Sequence, residues 1–450
     1  MMTSLKLHRH LFLTAALCAS PWAIRAQSDF NVLHTFPSAG PHFPMCTLVE
    51  TSPGIFYGTT SAGPGSGVPG DLFGIDSSGN IRYLHAFDGA TEGNLPEDTL
   101  LQAFDGTLYG ITIGGGSGQN GTIFKSDLAG NVSVLYSFSA QPNTITPYSL
   151  IQTPKGVLYG TLSSFDPSVP SQVYVLNRSG QPVTLHAFKG TEGAPAGPLT
   201  FASDGNLYGL SNNGSVYRIT PSGKFTTIYT FTGNDGATPI GNLSQAGNGR
   251  LYGVNAFGGA NNYGTLFSVS LAGSFRLEHT FTGGADGGFP LTGTARADDG
   301  NVYGTTGLVP GTDFQITTAG QFTTLATMGP GGNPNFTSPA VIQGSDGLLY
   351  GVQTTFGGTV YTLNAGLAPP KPAVITFRPS SGPVGTAVLI VGGNLLGATA
   401  VSFNGTAAGF RVASAKSIYT VVPPGATTGP ISVETPNGGT STTSAFTVTP

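Results

Sequence analysis

The residues with the strongest claim to chemistry in this chain are acids that return at one place in a repeating pattern. After a closing phenylalanine, several stretches read Phe-x-Gly and then, within a few residues, an acid followed by glycine: Glu92 before Gly93, Glu192 before Gly193, Asp235 before Gly236 and Asp286 before Gly287. Carboxylates brought to one surface bind a ligand's polar groups or a cation, calcium above all. The competing reading is turn chemistry, which also selects Asp or Glu beside Gly. Acids a whole repeat apart are too dispersed for a glycosidase, whose paired carboxyls stand roughly 5–10 Å apart.

Histidine offers less. Beyond residue 26 the chain has His34, His42, His85, His186 and His279, and all but His42 fall at one repeat position, where two other repeats carry Tyr136 and Tyr229. A metal site or a general base does not accept that exchange, whereas packing or hydrogen bonding does. No catalytic residue and no metal-ligand set is therefore expected. A third recurrence lies seven residues before each Tyr-Gly dipeptide: Glu50, Gln102, Gln152, Phe201, Gln245, Arg296 and Gln343. Polar groups there, on the innermost strand of each repeat, are expected to line a central channel and to be satisfied by one another and by water.

The elements that position these residues are set by Tyr-Gly itself. It occurs at Tyr57, Tyr109, Tyr159, Tyr208, Tyr252, Tyr303 and Tyr350, in steps of 52, 50, 49, 44, 51 and 47 residues. A period of that length marks repeated supersecondary units. Each unit has four short alternating segments, in the third SLIQT (149–153), VLYGTL (157–162), QVYVLN (172–177) and VTLHAF (183–188), with Lys-Gly or Asp-Gly turns between the first two. That is a four-stranded meander, and such sheets repeated radially form a β-propeller. The seventh unit has three strands and then runs into Ala368-Pro369-Pro370-Lys371-Pro372, while an unmatched strand, residues 30–36, stands at the other end. The expected fold is all-β: a seven-bladed propeller over 30–366, its last blade closed by the N-terminal strand, a Pro-rich linker over 367–372, and a small β-sandwich over 373–450.

Composition agrees. Gly is 69 of 450 residues, charged residues are 8% and apolar residues 39%, which favours strands and tight turns over helices or disorder. Residues 1–26 read as a signal peptide, with Lys6 and Arg9 before the apolar run Leu11 to Ala19. Their removal takes three basic residues and no acid, leaving 14 basic against 21 acidic residues, a net charge of −7. That disfavours nucleic acid and anionic membranes as partners. Cys46 is then the sole cysteine, and no later apolar run is long enough to span a bilayer. Trp22 leaves with the leader, so stacking on sugars would fall to Tyr and Phe. Gly-rich loops such as 114–121 lead into strands, unlike phosphate loops, which lead into helices.

Residues 30–366 resemble the secreted bacterial proteins built of GloVer-type tandem repeats. The fifth unit is nearest, with Leu251-Tyr252-Gly253, Phe257-Gly258-Gly259, Asn262-Tyr263-Gly264-Thr265-Leu266-Phe267 and Phe281. The fourth departs in its short loop, Ser211 to Gly214, and the sixth in ending on Met328. The tail resembles an IPT/TIG immunoglobulin-like domain through Pro379, Ser381-Gly382-Pro383, Gly385-Thr386, Asn394-Leu395, Phe403-Asn404-Gly405 and Val422-Pro423. These resemblances imply a secreted or cell-surface location and no particular activity. The expected role is a non-enzymatic binding or adhesion protein, presenting its loops to a protein or polysaccharide partner through Glu92, Glu192, Asp235 and Asp286. The alternatives are a polysaccharide hydrolase or lyase working at the propeller face, and a structural component of a surface layer.

Overall fold

The computed structural model describes residues 30–37, 43–61, 69–97, 100–139, 144–166, 169–307, 311–327, 340–354 and 358–450, and every regular element among them is a β-strand. The expected signal segment 1–26 and His42 lie outside the described residues. Among the described residues seven sheets precede residue 366, each built of strands consecutive in the chain except the last. In the third, Ile145–Gln152, Leu158–Ser164, Gln172–Leu176 and Pro182–Ala187 pair antiparallel in that order. The first sheet has an interrupted inner edge, with Phe43–Pro44 and Val49–Ser52 both pairing with Ile55–Ser61. The last combines Ile342–Gln343, Leu349–Gln353 and Thr359–Leu363 with Phe30–Thr35, which pairs from Phe30↔Leu363 to Thr35↔Thr359.

The Tyr-Gly block recurs for a steric reason. Each glycine lies directly opposite an aromatic residue of the third strand: Gly58 with Phe73, Gly110 with Phe124, Gly160 with Tyr174, Gly209 with Tyr217, Gly253 with Phe267, Gly304 with Phe314 and Gly351 with Tyr361. The ring folds back over the glycine so closely that a β-carbon at any of the seven would fall within 3.0 Å of it. The neighbouring tyrosine points to the other face and ties down the preceding turn. Tyr208, Tyr303 and Tyr350 donate to Asp204, Asp299 and Asp346 at 2.8, 2.9 and 2.7 Å.

Strict alternation fails at one shared place in every outer strand, and in the second sheet again between Ser137 and Ser139. The register slips by one residue at Leu33, Leu84, Leu135, Leu185, Ile228, Glu278 and Leu325, just before His34, His85, Tyr136, His186, Tyr229, His279 and Ala326. A bulge re-aims the side chain that follows it. Here it turns the recurrent His or Tyr toward the connection leaving the sheet.

Apolar clusters bind each sheet to the next. Leu72 and Phe124 join the first and second, Ile123 and Tyr174 the second and third, Val173 and Tyr217 the third and fourth, and Val216 and Phe267 the fourth and fifth. Leu266 and Phe314, then Tyr303 and Tyr361, continue the series, and Val360 and Phe73 join the seventh sheet to the first. Cys46 is buried in that last cluster, where its sulfur accepts from the Thr59 amide at 3.0 Å.

No strand occurs over 367–372. Beyond it, two four-stranded sheets and a two-stranded parallel pair enclose Phe377, Ile390, Val401, Phe403, Ile418, Ile431 and Phe446. This part is seated on the turns between first and second strands. Ser417 Oγ donates to Phe104 O at 2.7 Å, Asn437 Nδ2 to Ser345 O at 3.0 Å and Arg378 Nη1 to Pro154 O at 3.4 Å, while Asn394 Nδ2 and the Lys371 amide both reach the Asp298 carboxylate at 3.2 Å.

Gly160→Ala would force a methyl into the Tyr174 ring. The expected outcome is a loss of about 1–3 kcal/mol, seen as a lower denaturant midpoint. Unchanged stability would refute the glycine–aromatic account.

Candidate functional site

Four of the bulged residues, three His and one Tyr, meet the recurrent acids. His85 Nε2 lies 2.7 Å from Glu92 Oε2, His186 Nε2 2.9 Å from Glu192 Oε2, and His279 Nε2 2.9 Å from Asp286 Oδ2; Tyr229 donates to Asp235. Each carboxylate also accepts a main-chain N–H from its own connection, those of Asp88, Lys189, Thr282 and Thr232, at 2.9, 2.9, 3.0 and 2.7 Å. The His/Tyr exchange is thus an exchange between two donors to one acceptor. The acid's own carbonyl is gripped by the next sheet, through Thr122 to Glu92 O at 2.7 Å, Ser211 to Glu192 O at 2.6 Å, Thr265 to Asp235 O at 3.1 Å and Thr312 to Asp286 O at 3.2 Å. Every predicted site residue is therefore part of a clamp between consecutive sheets.

Partial burial pushes the Glu192, Asp235 and Asp286 carboxyls up, but their hydrogen bonds outweigh it and hold all three below the usual range. The donors are the Lys189 amide and His186 for Glu192, Tyr229 and Thr232 for Asp235, and Thr282 and His279 for Asp286. Among the described residues no three His, Cys, Asp or Glu side chains converge as a metal site.

The polar row on the inner strands does something other than the expected mutual pairing. Four of the row's oxygens reach the main chain of the preceding sheet, two residues past that sheet's own row position, whereas Gln102 Oε1 is buried without a hydrogen-bond partner among the described residues and its Nε2 donates to Gly106 O and Ala413 O at 3.5 and 3.4 Å. Gln152 Oε1 accepts from Phe104 N at 2.9 Å, Gln245 Oε1 from Ser203 N at 2.8 Å, Gln343 Oε1 from Asp298 N at 2.7 Å and Glu50 Oε2 from Ser345 N at 2.8 Å. Two of the three departures have local reasons. Phe201 faces Pro154, which has no N–H to offer. Arg296 has no such duty because the Gly300 carbonyl takes the Gly247 amide at 2.8 Å. Residue types alone do not reveal these latches, whose partner is a main-chain group one repeat away.

The inner strands surround a cavity of about 1020 Å³. Leu101, Leu150, Leu199, Leu243 and Val341 line it, and the C-terminal part contributes Ile375, Val391, Gly392 and Lys416. A second group not anticipated is Asp313, which stands where the other units have Leu72, Ile123, Val173, Val216, Leu266 and Val360. It is buried between the sixth and seventh sheets, accepts from Tyr361 Oη at 2.9 Å on Oδ1 and has no partner for Oδ2. Burial pushes its carboxyl up to about 7, against the pull of that hydrogen bond. The signal for it was an acid breaking an apolar column of the repeat.

A profile of the Gloeobacter/Verrucomicrobia repeat matches residues 22–214 and 209–409, and one of the IPT/TIG domain matches 372–448. No curated protein matches the chain. Among solved structures, the WD40 β-propeller domain of Doa1 is similar with a TM-score of 0.51 at 11% identity, covering 74% of this chain and 97% of that one. A fungal alcohol oxidase of the AA5 family, in complex with copper, gives 0.52 at 14% identity, covering 94% and 100%. The extracellular domain of a putative hybrid two-component system from B. thetaiotaomicron gives 0.50 at 11%, covering 94% of this chain and 60% of that one. At these identities the likeness speaks to fold alone.

Two measurements test the clamps and latches. Gln152→Leu strands the Phe104 amide and should cost about 1–3 kcal/mol; a variant as stable as the parent would show that the latch contributes nothing. The second is the pH profile of unfolding. Asp313 holds its proton in the native state up to about pH 7 but releases it near 3.8 when unfolded, so its contribution is whole below the lower value and declines as pH rises through that window. Glu192, Asp235 and Asp286 act in the opposite sense, stabilising above their unfolded values and losing that as pH falls through the depressed native ones. Asp313→Asn, which keeps an acceptor for Tyr361, should flatten the decline between about pH 4 and 7 and leave the acid limb intact. A parent and variant with parallel profiles would exclude this assignment.

Proposed function

The chain belongs to the Gloeobacter/Verrucomicrobia repeat family, and on that premise we propose that it is a secreted or cell-surface protein, a closed seven-bladed propeller over 30–366 that binds a protein or glycan partner through the loops of one face. The complete circuit of sheet-to-sheet clusters, with the N-terminal strand paired into the last sheet, supports the closed ring. A leader over 1–26, a linker over 367–372 and an Ig-like module over 373–450 complete the arrangement.

The observation that carries the binding role is the asymmetry of the two faces. In a meander the turns between first and second strands lie at one end, and the second-to-third loops lie at the other with the sheet-to-sheet connections. The C-terminal module sits on the turn end, through Phe104, Pro154, Asp298 and Ser345. At the loop end the seven copies differ most, from three residues between the paired Ser211 and Ser215 to ten between the paired Thr60 and Asp71. Recurrent groups are taken up by scaffold duties, so recognition falls to these loops, with Glu92, Glu192, Asp235 and Asp286 bracing the connections beside them.

A screen of the full-length chain against glycans and purified surface proteins tests this. Replacing residues 113–121, or 256–264, with the Asn-Asn-Gly of the fourth unit keeps the strand register. Binding to any partner found should fall at least about tenfold in one or both variants. Undiminished binding in both, or turnover of a polysaccharide, would overturn the reading.

A further inference from the structure

The cavity under the C-terminal module combines features that the scaffold does not need. Its walls are more apolar than polar, yet Lys416, Arg296 and, among the described residues, a single acid, Glu97, line it. Lys416 comes from the short turn before Ser417–Val421 in the C-terminal part, and Arg296 from the inner strand of the sixth sheet. Neither side chain makes a hydrogen bond or ion pair among the described residues. Lys416 and Arg296 are both exposed, and the protein packed around the Lys416 amine lowers its pKa by desolvation.

Two cations at the wall of one cavity, against one acid, give it an excess of positive charge that no packing role of the propeller requires. Arg296 is equally unexplained by the scaffold: it occupies the row where four units use Gln, and its latch duty has passed to the Gly300 carbonyl. Phe201, the other residue released from that row, also lines the cavity and adds an aromatic wall. A volume of about 1020 Å³ far exceeds an inorganic anion and matches the upper range of small-molecule pockets, which are typically apolar with a few placed polar groups.

We infer that this cavity binds a small organic carboxylate with an apolar body, its charge set between Lys416 and Arg296 and its chain laid against Leu150, Leu199, Leu243 and Phe201. Such a site is composite. It exists only while the C-terminal module is docked, and the ligand would strengthen that docking. It is separate from the loop-face reading, since no loop residue is required for it.

The test uses the full-length chain with octanoate, octanol and sulfate as probes, followed by calorimetry and thermal unfolding. Octanoate should bind and raise the melting temperature, while octanol, lacking the charge, and sulfate, lacking the chain, should bind at least about tenfold more weakly. Arg296→Gln, which installs the residue found at this row in four other units, and Lys416→Met should each weaken octanoate binding by about 10–100-fold. Circular dichroism confirms that both variants fold. The inference is overturned if octanoate does not bind the parent chain, if octanol binds as well as octanoate, or if both variants bind octanoate as the parent does. Loop-shortened variants should bind octanoate normally, which separates failure here from failure of the loop-face proposal.

Discussion

The structure depends on one close contact, the aromatic ring of each third strand lying over the glycine of Tyr-Gly. Because successive side chains of a strand point to opposite faces, that contact gives each sheet two different sides. The glycine and its covering ring face the preceding sheet, as Tyr174 does in the cluster it shares with Ile123. The tyrosine and the aliphatic residue before the aromatic face the following sheet, as Tyr159 and Val173 do beside Tyr217. A small residue is needed under the ring, so the ring is held flat and the next sheet's residues find a level surface to pack on. Every sheet is then complementary to its neighbour in one direction only, which is what lets identical units follow one another without a gap.

Polar groups take up what this packing leaves over. Sheets stacked face to face cannot pair strand to strand, so the recurrent ties between them are side chain to main chain: glutamine latches on the inner strands, Thr or Ser to the carbonyl of an acid at the connections. The acids and histidines with the strongest chemical claim belong to this set. Much of the arrangement was legible in the sequence. Tyr-Gly spacing, Asp-Gly turns and the surplus N-terminal strand carry the sheet order, and the exchange of His for Tyr pointed to hydrogen bonding because the two share only a donor and a ring. What stayed hidden has a common cause. Periodicity reports which face a residue occupies, but not the bulge that rotates His85, nor the amide of Phe104 that Gln152 seeks, since main-chain partners leave no trace in residue type.

Departures from the repeat are informative for the same reason. Where the preceding unit places Pro154, the latch residue is Phe201; where Gly300 supplies its carbonyl, the position is free to become Arg296. In these two units the loss of the tie is matched by loss of the need for it. Asp313 differs: Tyr361 satisfies one oxygen and leaves the other without a partner, so the sixth and seventh sheets share the one interface of this column with a titratable group in its middle. A repeat maintained by packing alone would have kept Val, Leu or Ile there, as the other six units do.

The C-terminal module completes the asymmetry that the sheets begin. It touches turns of the second, third, sixth and seventh sheets through hydrogen bonds, and Gly397 lies against Pro53 of the first, whereas Gly205 and Gly249 in the corresponding turns of the fourth and fifth have open space before them. Docking is therefore off-centre. It covers one end of the inner strands unevenly and brings Lys416 to the cavity from a domain whose own core has no use for it. Local sequence rules do not foresee this, because the two surfaces belong to different folds and meet only through tertiary docking. The consequence is physical: a charge carried in by one module is left to be balanced by whatever the other module, or a ligand between them, provides.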